Sequence, residues 1–329
     1  MREYRALLGP VGVIALFFIA VKWSPFEPHA EPVSDALPVP WENPRAAPSW
    51  PDADWAVFEE KVRWALDVRA DTLPLGQAMA ALGRSFIGTA YVPGTLETDG
   101  PEHLVINFRG LDCVTFVENV FALSRFVSEA GRAFDADADA VLGNRGAVED
   151  AYEEVLASLR YRNGEVGEDP SRLHYFTDWI GDNDRRGLVA DVTGDLGGVL
   201  DREPIDFMTT HTDAYRQLAD AAYVDEVRAA EERLSTAGRI FIPEGDIEAA
   251  ASQIRDGDII AATSTVEGLD VAHTGLALWV DGALHLLHAP LVGESVQISE
   301  VSLAARIQRI GGQDGIIVAR PQSGSGGGA

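Results

Sequence analysis

An α+β fold is predicted by three features of the sequence. Helix-period apolar spacing dominates the first part of the chain. Short β-patterned runs dominate the last part, and the two kinds do not alternate as βαβ units would. The late runs are also separated by tight-turn signals, so their sheet is expected to be mostly antiparallel.

The elements follow in chain order. Residues 24–51 carry Pro25, Pro28, Pro32, Pro38, Pro40, Pro44, Pro48 and Pro51, too many for regular structure, and read as an extended linker. The folded body is expected from about Asp52. Trp55, Phe58, Val62, Trp64 and Leu66 give 55–69 a helical spacing, and 73–86 reads as a second helix that stops before Gly88. Loop signals fill 91–100, and the apolar run 104–108 reads as a strand. Over 111–130 a long helix is expected, with Phe116, Val120, Leu123 and Val127 on one stripe. The stretch 133–250 is mostly helical or loop by pattern, with helices at 151–160 and 213–234 and turns around 177–180. Strands are then expected at 258–262, 273–280, 283–288, 296–298 and 316–319, the second and third joined through Asp281-Gly282. A Gly/Ser tail, 323–329, is expected to be disordered.

The N-terminus reads as an export signal. Arg2 and Arg5 precede an apolar run, 6–21, that Lys22 and Trp23 close. Two readings of 1–23 stand, a cleaved signal peptide and a retained membrane anchor. Both place the body in the cell envelope, in the periplasm or on the outer face of the inner membrane.

Composition narrows the chemistry. The formal net charge is −26, and no basic surface stands out that could neutralise phosphates, so a nucleic-acid partner is not expected. The one cysteine, Cys113, can make neither an intramolecular disulfide nor a thiolate-rich zinc site. It lies between the turn at Gly110 and a long helix, in that helix's first turn. There the partial positive charge favours thiolate, and free backbone N–H groups can receive an oxyanion. Asp112 reads as the helix cap.

A cysteine nucleophile needs a base. Of the seven histidines, His273 and His288 fall at the adjoining ends of one hairpin, where one can take the thiol proton while the other fixes its tautomer. The plainer alternative is a pair of sheet histidines bonded to the backbone. A metal site of His273, His285 and His288 is disfavoured, because strand alternation puts His285 and His288 on opposite faces. No cofactor and no metal are expected.

These pieces form an ordered series: 91–97, 111–119 with Asp112-Cys113 and Phe116, 176–180, 256–260, His273-Thr274-Gly275, and 284–289 ending in His288-Ala289. Over 73–320 the series resembles the NlpC-type cell-wall hydrolases, and within them a branch described as N-acetylmuramoyl-L-alanine amidases. The resemblance implies a papain-like core, with the nucleophile helix packed on an antiparallel sheet. It implies Cys113 as nucleophile, His273 as general base and His288 as the orienting third member. Tyr91 would line the cleft near the oxyanion, and Glu97 and Trp179 would be substrate-side residues. Thr115 and Glu118 would support the helix from behind. Cys113 and His273 lie far apart in the chain for this group, so about 133–250 is expected to be a helical insertion in a domain spanning 52–322.

The function expected is cleavage of the N-acetylmuramoyl-L-alanine bond in peptidoglycan or muropeptides. One rival is a γ-D-glutamyl-diamino-acid endopeptidase, which leaves sugar and peptide joined. Another is a non-catalytic wall-binding protein on a membrane tether, whose Cys113 should resist alkylation at neutral pH. A third is a thiol acyltransferase acting on lipid, with an apolar acyl cleft.

Overall fold

The computed structural model describes residues 48–323. The apolar run 6–21, most of the Pro-rich stretch and residues 324–329 lie outside the described residues. Among the described residues no helix is long and apolar enough to cross a membrane.

The chain folds as mixed helices and an antiparallel sheet. Its larger helices are α1 (Asp52–Asp67), α2 (Leu75–Ser85), α3 (Cys113–Ala133), α4 (Arg145–Arg160), α5 (Phe176–Arg185), α6 (Ala221–Ala237) and α7 (Leu303–Arg309). A small parallel pair is formed by β1 (Ala90–Tyr91) and β2 (Gly110–Leu111). The main sheet takes β3 (Val189–Asp191), β4 (Val199–Asp201), β5 (Arg239–Pro243), β6 (Ile259–Ser264), β7 (Val271–Val280), β8 (Ala283–His288), β9 (Gln297–Ile298) and β10 (Gln313–Pro321). Its order is β4-β5-β10-β6-β7-β8-β9, with β3 paired to the far end of β10.

Alternation along the central strands explains the layers. Ile259 and Ala261 face one core, while Ile260 and Ala262 face another. The first core holds α1 to α4, and the second is capped by Leu303 and Ile307 of α7. Helix α3 lies between β7 and α4. Phe121, Ala122 and Phe126 are as buried as the expected stripe of Phe116, Val120, Leu123 and Val127. A helix apolar on all sides is a central one, and α3 is the axis on which the other layers assemble.

Several expectations are corrected. Residues 104–108 form no strand. Their backbone bonds to side chains instead: Phe108 N–H donates to Asp54 Oδ1 at 2.9 Å, and the Val105 carbonyl accepts from Arg160 Nη1 at 2.8 Å. The turns expected at 177–180 are helix α5, where Phe176, Trp179, Ile180 and Asn183 are buried at i, i+3, i+4, i+7 among polar letters. The helix expected at 213–234 breaks at Tyr215 and restarts at Ala221, with the Asp220 side chain accepting from Ala222 N–H. The stretch 133–250 also supplies β3, β4 and β5 to the sheet. Trp50, read as linker, is buried against Phe58 and Tyr152, with its indole N–H on Glu153 at 2.7 Å.

Candidate active site

Cys113 is the first residue of α3, and the turn before it is tightly built. The Asp112 side chain accepts from Thr115 N–H at 2.8 Å, and Asp112 N–H donates to Thr115 Oγ1 at 2.9 Å. This reciprocal box fixes the helix start, with Thr115 in the role usually filled by Glu or Gln. The residues just before it, Gly110-Leu111, pair with Ala90-Tyr91. Tyr91 lies opposite Leu111 in that register, close in the fold to the Cys113 turn. Its buried hydroxyl has no hydrogen-bond partner. Burial and the charges of Cys113 and Asp112 push its ionisation up.

The second half of the site comes from three consecutive residues of β7. His273 Nε2 stands 2.6 Å from His288 Nδ1, with the rings 81° apart. Thr274 Oγ1 donates to the Cys113 carbonyl at 2.8 Å, tying the strand to the start of α3. Gly275 lies opposite His288, because Leu276 pairs with Leu287. A Cβ on Gly275 would come 2.7 Å from the Leu287 carbonyl oxygen and 2.9 Å from His288 Cβ, so only glycine leaves room for that imidazole. His285 points away, its Nδ1 2.8 Å from the Ser299 carbonyl, as strand alternation requires.

The electrostatics differ from the expectation of a preformed thiolate. Cys113 is wholly buried. Burial, with the Asp112 charge behind it, pushes its thiol up to about 12; hydrogen bonds from the Thr274 N–H and hydroxyl pull the other way without prevailing. The desolvation of the sulfur outweighs the helix N-terminus. Resistance to alkylation therefore follows from burial alone and does not mark a non-catalytic protein. Both imidazoles are held well below their ordinary range. Burial is the largest cause, the Arg306 guanidinium follows, and His288 adds to the effect on His273. At neutral pH the site holds a thiol and two neutral imidazoles.

The other predicted residues fall elsewhere. Trp179 is fully buried, stacked on Phe176 at 4.9 Å, and so sits in the core rather than at the substrate side. Glu97 is four-fifths buried, paired with Arg172 and accepting from Gln217 Nε2 at 3.1 Å. It anchors the loop after Tyr91 to the 133–250 stretch. Glu118 is on α3 itself, 2.7 Å from Arg160 Nε at the end of α4, and both are buried. Burial raises the Glu118 carboxyl and Arg160 lowers it, whereas Glu118 more than offsets the burial of Arg160. Both ionisations are thus shifted upward, and the 2.7 Å contact of the two buried groups makes them an ion pair.

Sequence reasoning missed two residues. Thr274 lay inside the quoted His-Thr-Gly stretch but was given no role. Arg306 carried no signal at all, being one basic residue on a short helix. It is half-buried, and Nη1 donates to Gln313 Oε1 at 3.0 Å. Burial lowers it to about 10, so it stays cationic at neutral pH, and it feels the charge of Cys113.

Residues 81–313 match the model of the AmiA-like, N-acetylmuramoyl-L-alanine amidase-like family. The chain belongs to that family. A solved N-acetylmuramoyl-L-alanine amidase from Bacteroides uniformis ATCC 8492 shares 35% identity over 75% of this chain and 99% of its own, with a TM-score of 0.66. A Bacteroides fragilis protein described provisionally as a xylanase shares 33% identity over 72% of this chain and 98% of its own, at 0.63. A Legionella pneumophila protein, 20% identical over 82% of this chain and 96% of its own, shares the fold at 0.57. No curated protein matches. The AmiA-like chain is thus an amidase-like, peptidoglycan-related hydrolase by family. Among its described residues, no group of three or more His, Cys, Asp or Glu side chains could hold a metal ion.

Proposed function

We propose that this protein cleaves the amide between N-acetylmuramic acid and L-alanine, using Cys113 as nucleophile in a papain-like, NlpC-type arrangement. The observation that carries the reading is the 2.6 Å contact of His273 Nε2 with His288 Nδ1, on the strand whose next residue bonds Cys113. With Nε2 engaged, Nδ1 is the His273 atom left to receive the thiol proton. Nε2 then carries hydrogen and donates to His288, a tautomer that serves before and after protonation.

The steps balance as acyl transfer. His273 takes the Cys113 proton as sulfur attacks the lactyl carbonyl carbon, and a C–S bond forms. Proton transfer accompanies attack, because neither partner favours its charged form at rest. The oxyanion meets backbone N–H groups at the start of α3 and the spare Tyr91 hydroxyl. Protonated His273 gives its proton to the departing amine of L-alanine. Water, deprotonated by His273, then cleaves the thioester and restores the thiol.

The expected location is the cell envelope, either secreted to the periplasm or tethered by 1–23, where wall material is available. The test is mass spectrometry of purified muropeptides incubated with the protein. Peptides headed by free L-alanine support the reading. Cleavage inside the stem, with sugar still joined to L-alanine, would replace it with an endopeptidase.

A further inference from the structure

Thr274 occupies a position on β7 that strand alternation would give to an apolar side chain. Its register partner is Ala261 of β6, which lies in the core that holds α3. Leu276 and Leu278, two and four residues on, face the same core. Thr274 nonetheless brings a hydroxyl there, and it is wholly buried. A buried hydroxyl is costly without a hydrogen-bond partner, and valine has the same shape without that cost.

The partner that Thr274 takes is the carbonyl of Cys113, which accepts from Oγ1 at 2.8 Å across a separation of 161 residues in the chain. That carbonyl has another donor. In a helix each carbonyl accepts from the N–H four residues on, and Cys113 is the first residue of α3. What the second bond adds is position. Apolar contacts press α3 onto the sheet without direction, whereas a hydrogen bond holds a distance and an angle. Glu118 and Asn119, buried polar side chains of the next turn, go to α4 instead: Glu118 to Arg160, and Asn119 to the Tyr152 hydroxyl. Thr274 therefore pins the residue that carries the sulfur to the strand that carries His273, its own neighbour in the chain.

We infer that Thr274 is a positioning residue for amide cleavage: its hydroxyl holds Cys113 at the place along β7 from which the sulfur attacks and gives up its proton to His273. The inference rests on the proposed roles of Cys113 and His273. No covalent bond of Thr274 forms or breaks. It acts through the nucleophile, so its loss falls on the chemical step and not on substrate binding. The Thr274 N–H and hydroxyl also favour the charged form of the Cys113 sulfur against its burial, which works in the same direction.

Two pairs of proteins isolate the hydroxyl. Wild type against Thr274→Val removes it with the shape kept, and Thr274→Ser against Thr274→Ala removes it in the absence of the methyl. Steady-state cleavage of muropeptides is measured for all four, with a melting curve for each. In both pairs loss of the hydroxyl is expected to lower kcat by about ten- to a hundredfold, the scale of a misplaced reacting group, with KM little changed. Melting temperature is expected to fall by no more than about 4 °C, the scale of one net hydrogen bond in a domain of this size. Thr274→Ser is expected to keep most of the wild-type kcat. Wild-type kcat in a folded Thr274→Val overturns the inference, as does equal kcat in Thr274→Ser and Thr274→Ala, or a loss carried by KM. So does a fall in kcat no larger than that of a core variant with the same melting temperature. The serine and alanine pair decides the matter where Thr274→Val does not fold. If the wild type cleaves no muropeptide, or a folded Cys113→Ala cleaves as well as the wild type, the reading of the site itself fails, and the inference with it.

Discussion

His273 and His288 meet edge to face, with Nε2 and Nδ1 2.6 Å apart in a site closed to solvent. The contact fixes one ring's rotation through the other, which is the task of an orienting partner. His273→Ala should lower kcat/KM by about 10²–10⁴-fold, the usual worth of a general base. His288→Ala should cost less, because the base remains and only its tautomer and angle are freed. Steady-state rates on muropeptides, with melting curves to confirm folding, check the order of the two losses.

In the proposed mechanism the buried imidazoles set the pH dependence of rate. His273 works there as the neutral base, and its ionisation is lowered below the ordinary 6.5. The acid limb of kcat/KM should therefore fall below pH 6.5, with activity retained in mildly acidic buffer. An acid limb at or above pH 6.5 would mean that the site opens to water before the rate-limiting step.

Stability follows the same groups. In the folded state His273 and His288 resist protonation, while in the unfolded chain they titrate near 6.5. The unfolded state then binds more protons as pH falls. Their contribution is fully present above about pH 6.5 and is lost as pH drops towards the folded values. Melting temperature should decline over that window, and less steeply in a His273→Gln/His288→Gln double variant.

Gly275 tests the packing of the site. A methyl there would meet the Leu287 carbonyl and His288 Cβ at 2.7 and 2.9 Å. Gly275→Ala should destabilise by about 1–3 kcal/mol through overpacking. Activity should fall further than stability alone explains, because His288 is what must move. The comparison is kcat against melting temperature for this variant and for a core variant of equal destabilisation.

Between α3 and α4, the Glu118–Arg160 pair is closed to water. Arg160→Met should cost about 3–5 kcal/mol by leaving a buried carboxylate unpaired. A Glu118→Gln/Arg160→Met double variant should recover part of this. Denaturant unfolding of the two variants and the wild type measures both effects.

The site was legible where its chemistry is local. A capped helix start, an Asp-Gly hairpin and two histidines at its ends leave marks within a few residues of Cys113, His273 and His288. The charge state of that site was not legible, because it depends on burial. Cys113 sits at a helix N-terminus, yet its desolvation dominates. Strands β3, β4 and β5 were missed for a related reason. Val189–Asp191 and Val199–Asp201 are three residues each, too short for a period, and their partners in β10 and β5 lie far along the chain. The run 104–108 misled in the opposite direction, since β-rich composition does not supply a partner strand. The burial of Trp179 was legible in the α5 spacing, three residues after Phe176.

Intact-protein and peptide mass spectrometry after a rapid acid quench tests the central claim most directly. During muropeptide turnover, the account predicts an adduct with the mass of the sugar-side acyl group on the peptide that contains Cys113. It also predicts that Cys113→Ala, folded as the wild type, shows neither adduct nor free L-alanine-headed peptide. Product formation by the folded Cys113→Ala variant would contradict the account.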